Sequence, residues 1–172
     1  MPGEPHLTAI AVLFPELEPL LGPVRAAATE DGARDMPPHV TLIVPFADTA
    51  RVDALAPEVR RALAGFRPFD VSFATIERWP ETLYLVPDPA EPFVAMTEAL
   101  VAEFPESPPY GGAFDEIVPH LTVAHGAGDE FDGIAAELAP ALPLRARVER
   151  AWLMADEPDG WRRHTAFPLD RR

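Results

Sequence analysis

The sequence predicts an α+β fold of two mainly antiparallel sheets with flanking helices, arranged as two related lobes around a central cleft. Strand-like and amphipathic helical segments interleave along the chain, with connections short enough for hairpins. A proline-histidine-apolar-threonine motif occurs at residues 38–41 and again at 119–122, about half of the chain later. Of the 172 residues, 48% are hydrophobic, which is enough to build a core. These observations predict one bilobal domain over residues 1–172 with pseudo-two-fold symmetry.

The first half of the chain contains four predicted strands and two predicted helices. Residues 8–14 form a short apolar run before Pro15, and residues 39–44 are rich in β-branched side chains between prolines. Segments 69–73 and 82–86 are the other two strands. One helix is predicted over 16–28, with an interruption at Gly22-Pro23. The other begins at Asp48 or Thr49 and places its apolar residues on one face.

The second half repeats this order. Apolar positions over 93–104 predict a helix, and a loop rich in proline and glycine follows over 105–115. A strand is predicted over 120–124, a helix over 129–139 and one long strand over 144–154. The turn Pro158-Asp159-Gly160 then leads into a last strand over 161–167.

The chain is strongly acidic, with a formal net charge of −14, and every one of its 14 basic residues is an arginine. Such a field opposes the binding of long nucleic acid, whose phosphates require a basic surface. Cysteine is absent, which excludes disulfides, thiolate metal ligands and a cysteine nucleophile. No basic leader is recognised, and the apolar run at 9–14 is too short for a membrane segment, so we expect a cytoplasmic monomer without a membrane partner.

Each copy of the motif places a histidine and a threonine on the same face of a strand. Side chains at positions i and i+2 of a strand point the same way, so His39 and Thr41 share one face while the residue between them enters the opposite, apolar layer. His120 and Thr122 repeat this arrangement. If the two strands face each other across the cleft, two imidazoles and two hydroxyls surround one small volume.

This set of side chains suits in-line displacement at phosphorus. One imidazole removes a proton from the attacking hydroxyl or water, and the other protonates the departing oxygen on the far side. Histidine serves both roles because its pKa lies near neutral pH. Thr41 and Thr122 can donate hydrogen bonds to the non-bridging oxygens. We therefore predict that His39 and His120 are catalytic, that the threonines bind phosphate, and that no metal ion or cofactor is required; which histidine is the acid stays open.

A metal site is the main alternative use of the histidines. His39, His120, His125 and His164 would have to converge, but no spacing typical of a zinc site is present. His120 and His125 are five positions apart, which places them on opposite faces of a continuous strand. His6 repeats the motif near the N-terminus but has no counterpart half a chain later. We therefore predict no catalytic role for His6 or His125.

With both motifs in place, the chain resembles the 2H phosphoesterase superfamily, and specifically its 2′-5′ RNA ligase-like branch. The matching segments are PPHVTLIVPF at residues 37–46 and VPHLTVAHG at residues 118–126. The surrounding order is similar as well, with an N-terminal strand, a helix that carries Arg25 and a C-terminal strand that begins at Trp161. The resemblance extends over nearly the full length of the chain.

The resemblance implies a bilobal fold and an enzyme that acts without a metal ion. Its implied substrate is a cyclic phosphate or a 2′-5′ linkage of a nucleotide or an RNA end. The acidity of this chain sets it apart from the members that process nucleic acid. Phe46 and Tyr110 are candidates to stack on a base, and Arg162 is a candidate to reach a phosphate, although each also suits packing or an exposed strand edge. Two rival functions stay open: a nucleotide-binding module of the same fold without turnover, and a metal-dependent hydrolase.

Overall fold

The computed structural model describes residues 7–112 and 116–170. The strands are β1 (Thr8–Leu13), β2 (His39–Ile43), β3 (Phe69–Trp79), β4 (Thr82–Asp88), β5 (Leu121–His125), β6 (Leu144–Val148), β7 (Arg150–Glu157) and β8 (Gly160–Pro168). The helices are α1 (Glu18–Ala28), α2 (Glu30–Ala33), α3 (Val52–Leu63), α4 (Glu91–Glu103) and α5 (Phe131–Leu138). None of these helices is both long enough and apolar enough to cross a bilayer. His6, for which no catalytic role was predicted, lies outside the described residues.

The strands form two antiparallel sheets of four strands each. The first sheet has the order β2-β1-β7-β8 and the second the order β5-β4-β3-β6. The strand that carries a motif is an edge strand in both sheets, because β2 pairs with β1 alone and β5 with β4 alone. The predicted α+β class, with two mainly antiparallel sheets and flanking helices, is thereby confirmed.

The larger of two buried apolar clusters in the described residues contains residues from both sheets and from α1, α3, α4 and α5. Val40 and Leu121, the middle residues of the two motifs, belong to this cluster and are fully buried. Burying a side chain of this kind stabilises the fold by about 1.5–3 kcal/mol. The apolar anchor of each motif therefore fixes the face on which its histidine and threonine emerge.

Each motif is followed by a β-bulge at the same place. Leu42 is the extra residue of β2 opposite β1, and Val123 is the extra residue of β5 opposite β4. A bulge adds one residue to one strand, so the alternation of faces changes beyond it. The two halves thus share the motif, its position on an edge strand and the bulge that follows it. These shared features agree with the predicted pseudo-two-fold symmetry.

The segment predicted as one long strand over 144–154 is two strands in different sheets. β6 pairs with β3, whereas β7 pairs with β1 and β8, so the chain passes from one sheet to the other at Glu149. The core-facing positions are even-numbered before this point and odd-numbered after it: Leu144, Ala146, Val148, Ala151 and Leu153. That change of parity is the sign of the break, and it corrects the prediction.

Helix α1 also differs from its prediction, because it continues through Gly22-Pro23 instead of being interrupted there. A proline inside a helix removes one backbone hydrogen bond. Leu21 and Arg25, which flank this point, are both buried, and their packing holds the helix together across it.

Candidate active site

The two motifs meet at one cavity between the sheets. His39 and Thr41, on β2, and His120 and Thr122, at the start of β5, all line a cavity of about 120 Å³. Each pair reaches it because the residue between its members is held in the core. The fold therefore brings together the four residues for which the sequence predicts chemistry.

Both motif histidines are held in the same tautomer by the same local device. The Nδ1 atom of His39 lies 2.8 Å from the carbonyl oxygen of Pro37, and that of His120 lies 2.8 Å from the carbonyl oxygen of Val118. A carbonyl only accepts a hydrogen bond, so each Nδ1 atom carries a proton. In a neutral ring the lone pair is then on Nε2, the nitrogen that remains for proton transfer.

His39 lies in an environment that strongly favours its neutral form. The residue is only 9% exposed, and the guanidinium of Arg25 lies 3.5 Å from its Nδ1 atom. Since both groups carry protons there, this approach is a repulsive electrostatic contact and not a hydrogen bond. Burial and then the charge of Arg25 lower the pKa of His39 to about 3.

His120 is also disposed toward its neutral form, but it has a different set of neighbours. Burial lowers its pKa and the nearby His125 acts in the same direction, whereas the bond from Nδ1 to Val118 raises it. Its ring contacts two aromatic side chains of the second sheet, with centroid distances of 4.9 Å to Trp79 and 5.6 Å to Tyr84. Without an adjacent arginine, His120 is the easier of the two histidines to protonate.

Arg25 also lines the cavity, although the sequence motifs predicted no role for it. It is 1% exposed and donates from Nη1 to the carbonyl of Met36 at 2.6 Å and from Nε to the carbonyl of Thr122 at 3.1 Å. It thus connects the segment before β2 to the strand that carries the second motif. The predicted helix has a row of residues four apart that face the core, Leu17, Leu21 and Arg25. A charged residue in such an apolar row indicates a buried arginine.

Tyr110 also lines the cavity, and it touches both motifs. Its hydroxyl lies 3.5 Å from Nε2 of His120 and forms a hydrogen bond with Thr41. Its backbone amide donates to the carbonyl of Val44 at 2.7 Å, which ties the loop to the end of β2. Burial raises the pKa of Tyr110, so the phenol stays protonated and can donate. Of the three predicted substrate contacts, Tyr110 is the one that borders the cavity.

Phe46 and Arg162, the other two candidate substrate contacts, make contacts away from the cavity. Phe46 is 5% exposed and packs edge-on against Phe104, so its ring faces the core. Arg162 does not line the cavity. Its guanidinium donates to Asp159 at 3.0 Å and lies 3.7 Å from Asp35. Trp161, the preceding residue of β8, lines the cavity instead, because successive strand residues point to opposite faces.

His125 lines the same cavity as His120, which corrects the prediction that the two lie on opposite faces. That prediction assumed a continuous strand, but the bulge at Val123 changes the alternation. As a result Thr82 of β4 lies opposite His125, and its hydroxyl lies 3.3 Å from the imidazole Nδ1 atom. Even so, no group of three or more histidine, aspartate and glutamate side chains in the described part of the chain is arranged to hold a metal ion.

The low pKa of His39 makes the folded state sensitive to acid. A histidine with a pKa of about 3 in the folded state and about 6.5 in the unfolded state binds its proton preferentially in the unfolded state. The free energy of unfolding is therefore unaffected above pH 6.5 and falls by up to about 1.4 kcal/mol per pH unit below it.

Between pH 7 and pH 5, the free energy of unfolding of the native protein should fall by about 2 kcal/mol more than that of His39→Asn. Urea unfolding measures both, and His164→Asn, at an exposed histidine, should behave like the native protein. Equal pH dependence in the native protein and His39→Asn would contradict the burial of a neutral imidazole.

The chain matches the model of one known protein family. A model of the 2′-5′ RNA ligase superfamily matches residues 13–160. No curated protein sequence matches the chain. The family match includes both motifs, Arg25 and Tyr110.

Solved structures resemble the chain over almost its whole length. The crystal structure of E. coli LigT complexed with 3′-AMP is 17% identical, with a TM-score of 0.65, over 98% of this chain and 100% of LigT. TT0787 of Thermus thermophilus is 21% identical, with a TM-score of 0.63, over 96% of this chain and 99% of TT0787. LigT structures complexed with NADP+ and with ATP also match. At these identities the likeness shows the fold.

Proposed function

The chain belongs to the 2′-5′ RNA ligase superfamily, and we propose that it is a metal-independent phosphoesterase acting on a cyclic phosphate or a 2′-5′ phosphodiester of a nucleotide or an RNA end. The observation that carries the proposal is the pairing of two His-x-Thr units at one cavity. Each unit presents an imidazole in the same tautomer, and each comes from the edge strand of a different sheet. All of these groups belong to one chain, so a monomer suffices.

The environments of the two histidines support an assignment of roles for hydrolysis. His39, neutral because of burial and Arg25, is the general base, and its Nε2 atom takes a proton from the attacking water. The water oxygen forms a bond to phosphorus as the bond from phosphorus to the ribose oxygen breaks. His120, protonated on Nε2, donates that proton to the departing oxygen. The product is a phosphate monoester, and the two imidazoles exchange protons with solvent before the next turnover.

The remaining groups at the cavity suit the stabilisation of charge on phosphate. The hydroxyls of Thr41 and Thr122 are neutral donors on the same faces as the histidines, and they can reach the non-bridging oxygens as negative charge increases there. Tyr110 adds a third hydroxyl between the two motifs. Arg25 supplies a fixed positive charge, although its guanidinium is already committed to two carbonyls. Its role is therefore to position the motifs and to favour an anionic ligand electrostatically.

A small nucleotide is the substrate class that the charge of the chain favours. With a net charge of −14, the protein repels a long polyanion, whereas a single phosphate can enter a cavity that contains its own cation. The structures of E. coli LigT with 3′-AMP, NADP+ and ATP support the binding of nucleotides by this fold. We therefore place 2′,3′-cyclic mononucleotides first among the substrates to be tested.

The test of this function is turnover of a 2′,3′-cyclic nucleotide in the presence of EDTA. We expect conversion to a nucleoside monophosphate at a rate that EDTA leaves unchanged, because both proton transfers use imidazoles. Chromatography with 2′- and 3′-monophosphate standards gives the rate and identifies the bond that breaks. A 2′-5′-linked dinucleotide in a parallel reaction separates the two substrate classes. Activity that requires added metal would reject the mechanism, and binding of the nucleotide without turnover of either compound would favour a binding module.

A further inference from the structure

The cleft face of the second sheet continues past the catalytic groups as a second row of side chains. Trp79 of β3 lies directly opposite Thr82 of β4, and Thr82 lies directly opposite His125 of β5. Directly opposed residues in a sheet share a face, so these three side chains form one row across three strands. The row exists because the bulge at Val123 brings His125 to this face.

Trp79 is an exposed aromatic residue in contact with a catalytic histidine. Its indole is 37% exposed, and its centroid lies 4.9 Å from that of the His120 ring. The ring centroid of Tyr84, which is 7% exposed, lies 4.3 Å from that of Trp79 at an interplanar angle of 35°. The indole therefore packs against Tyr84 and exposes apolar surface to solvent beside His120, where a ligand can cover it.

The other two members of the row give this surface a polar edge. The hydroxyl of Thr82 and the Nδ1 atom of His125 are 3.3 Å apart, and His125 lines the cavity. A flat aromatic surface bordered by groups that donate and accept hydrogen bonds is suited to a purine or pyrimidine. Trp161, on the opposite wall, is unsuited, because it is 5% exposed and its Nε1 atom donates to Asp31 at 3.1 Å.

We propose that Trp79 is the platform for the nucleobase of the substrate, with Thr82 and His125 at the polar edge of that base. The inference rests on the proposed function, in which His120 protonates a ribose oxygen. That oxygen must lie within hydrogen-bond distance of Nε2 of His120, so the ribose lies beside this ring. The base is attached to the same ribose and therefore lies against a neighbour of His120. Of the three aromatic rings beside His120 in the described residues, Tyr84 is buried, Tyr110 is partly buried and Trp79 is exposed.

The experiment compares two substrates that differ only by the base. These are adenosine 2′,3′-cyclic phosphate and methyl β-ribofuranoside 2′,3′-cyclic phosphate, which has a methoxy group in place of the base. Trp79→Leu should lower kcat/KM for the nucleotide about tenfold, since stacking on an aromatic side chain commonly changes affinity by this amount or more. The rate on the methyl riboside should stay within about twofold, and Trp79→Phe should restore most of the loss. Trp152→Leu is the matched control, because Trp152 is a partly buried tryptophan of the first sheet whose ring packs against the guanidinium of Arg163 and not against His120.

The outcomes separate a base platform from a structural support. If Trp79→Leu slows both substrates equally, Trp79 only holds His120 in place and the proposal is overturned. It is overturned as well if the preference for the nucleotide persists unchanged in Trp79→Leu.

A binding measurement keeps the proposal testable if the native protein turns over neither substrate, a result that would reject the proposed function. Titration with 3′-AMP should then quench tryptophan fluorescence equally in the native protein and in Trp152→Leu, but much less in Trp79→Leu, where Trp161 still lines the cavity. Quenching of the native extent in Trp79→Leu, or no quenching in the native protein, would overturn the base platform.

Discussion

Replacing either His39 or His120 by alanine is expected to lower kcat for a 2′,3′-cyclic nucleotide by about a hundredfold or more, which is the usual contribution of a positioned acid or base. Each variant loses one of the two proton transfers, while the cavity and both threonines remain. The double variant should lose little more than either single one, because the two imidazoles act as a unit in one step. Initial rates with purified variants, compared at equal folded concentration by circular dichroism, measure the effect.

The matched control for these variants is His164→Ala. His164 lies on β8, does not line the cavity, and its Nε2 atom is 3.5 Å from a carboxylate oxygen of Asp53. Its loss should leave kcat within about twofold, as is usual for a surface position away from the site. If His39→Ala or His120→Ala retained a comparable rate, the pair would not be the acid and base.

The pH dependence of kcat/KM is an independent test of the roles of His39 and His120, because it reports the pKa values of the essential acid and base in the free enzyme. In the proposed mechanism, His39 is neutral and His120 is protonated in the productive state. Burial lowers the pKa of both rings, that of His39 to about 3, so the rate should decline on the basic side with a midpoint below the ordinary histidine value of about 6.5. The acidic surface alone would raise both pKa values, but burial and Arg25 outweigh it. An optimum above pH 7 would contradict these environments.

The positions of the motif side chains within each strand could be predicted because they depend on local rules. Alternation along a strand places His39 with Thr41, and His120 with Thr122, once Val40 or Leu121 is assigned to the core. The half-chain repeat then predicts that the two pairs are equivalent. The first rule uses three consecutive residues and holds while the middle residue stays buried and no bulge falls between the histidine and the threonine.

His125 was misplaced because its position depends on a bulge. A bulge is decided by how a strand pairs with its neighbour, so the letters of β5 alone do not reveal that Val123 is an extra residue. Leu42 shows the same behaviour in β2, where Val44 follows the bulge and lines the cavity as His125 does.

Burial and charge were harder to predict than position. The low pKa of His39 requires a cation beside a buried ring, and that cation is Arg25, fourteen residues earlier on a helix. Tertiary packing of α1 against β5 creates this contact, since Arg25 donates to the carbonyl of Thr122. Sequence patterns describe which face of an element is buried, but they do not state which element covers it.

Replacing Thr41 or Thr122 by valine is expected to have the second-largest effect, a loss of about a hundredfold or more in kcat for each. Valine keeps the shape and the β-branch but removes the hydroxyl, so the strand and its packing are preserved while one donor to the phosphate is lost. Removing one donor to a developing oxyanion raises the barrier by about 2.7–4 kcal/mol. Because the donor acts mainly on charge that develops in the transition state, kcat should fall more than KM rises.

Serine at the same positions discriminates between a donor and a packing role. Thr41→Ser and Thr122→Ser keep the hydroxyl and lose only a methyl group, so they should retain most of the rate, whereas a packing role would make serine the more damaging change. Thr165→Val on β8, a strand threonine that does not line the cavity, is the control for the substitution itself and should leave kcat within about twofold.

The hydroxyl of Thr41 also forms a hydrogen bond with the phenol of Tyr110, so the loss of that bond is tested separately. If Thr41→Val acts only by releasing Tyr110, then Tyr110→Phe should reproduce its full loss. A much smaller effect of Tyr110→Phe would leave direct contact between Thr41 and the phosphate as the cause.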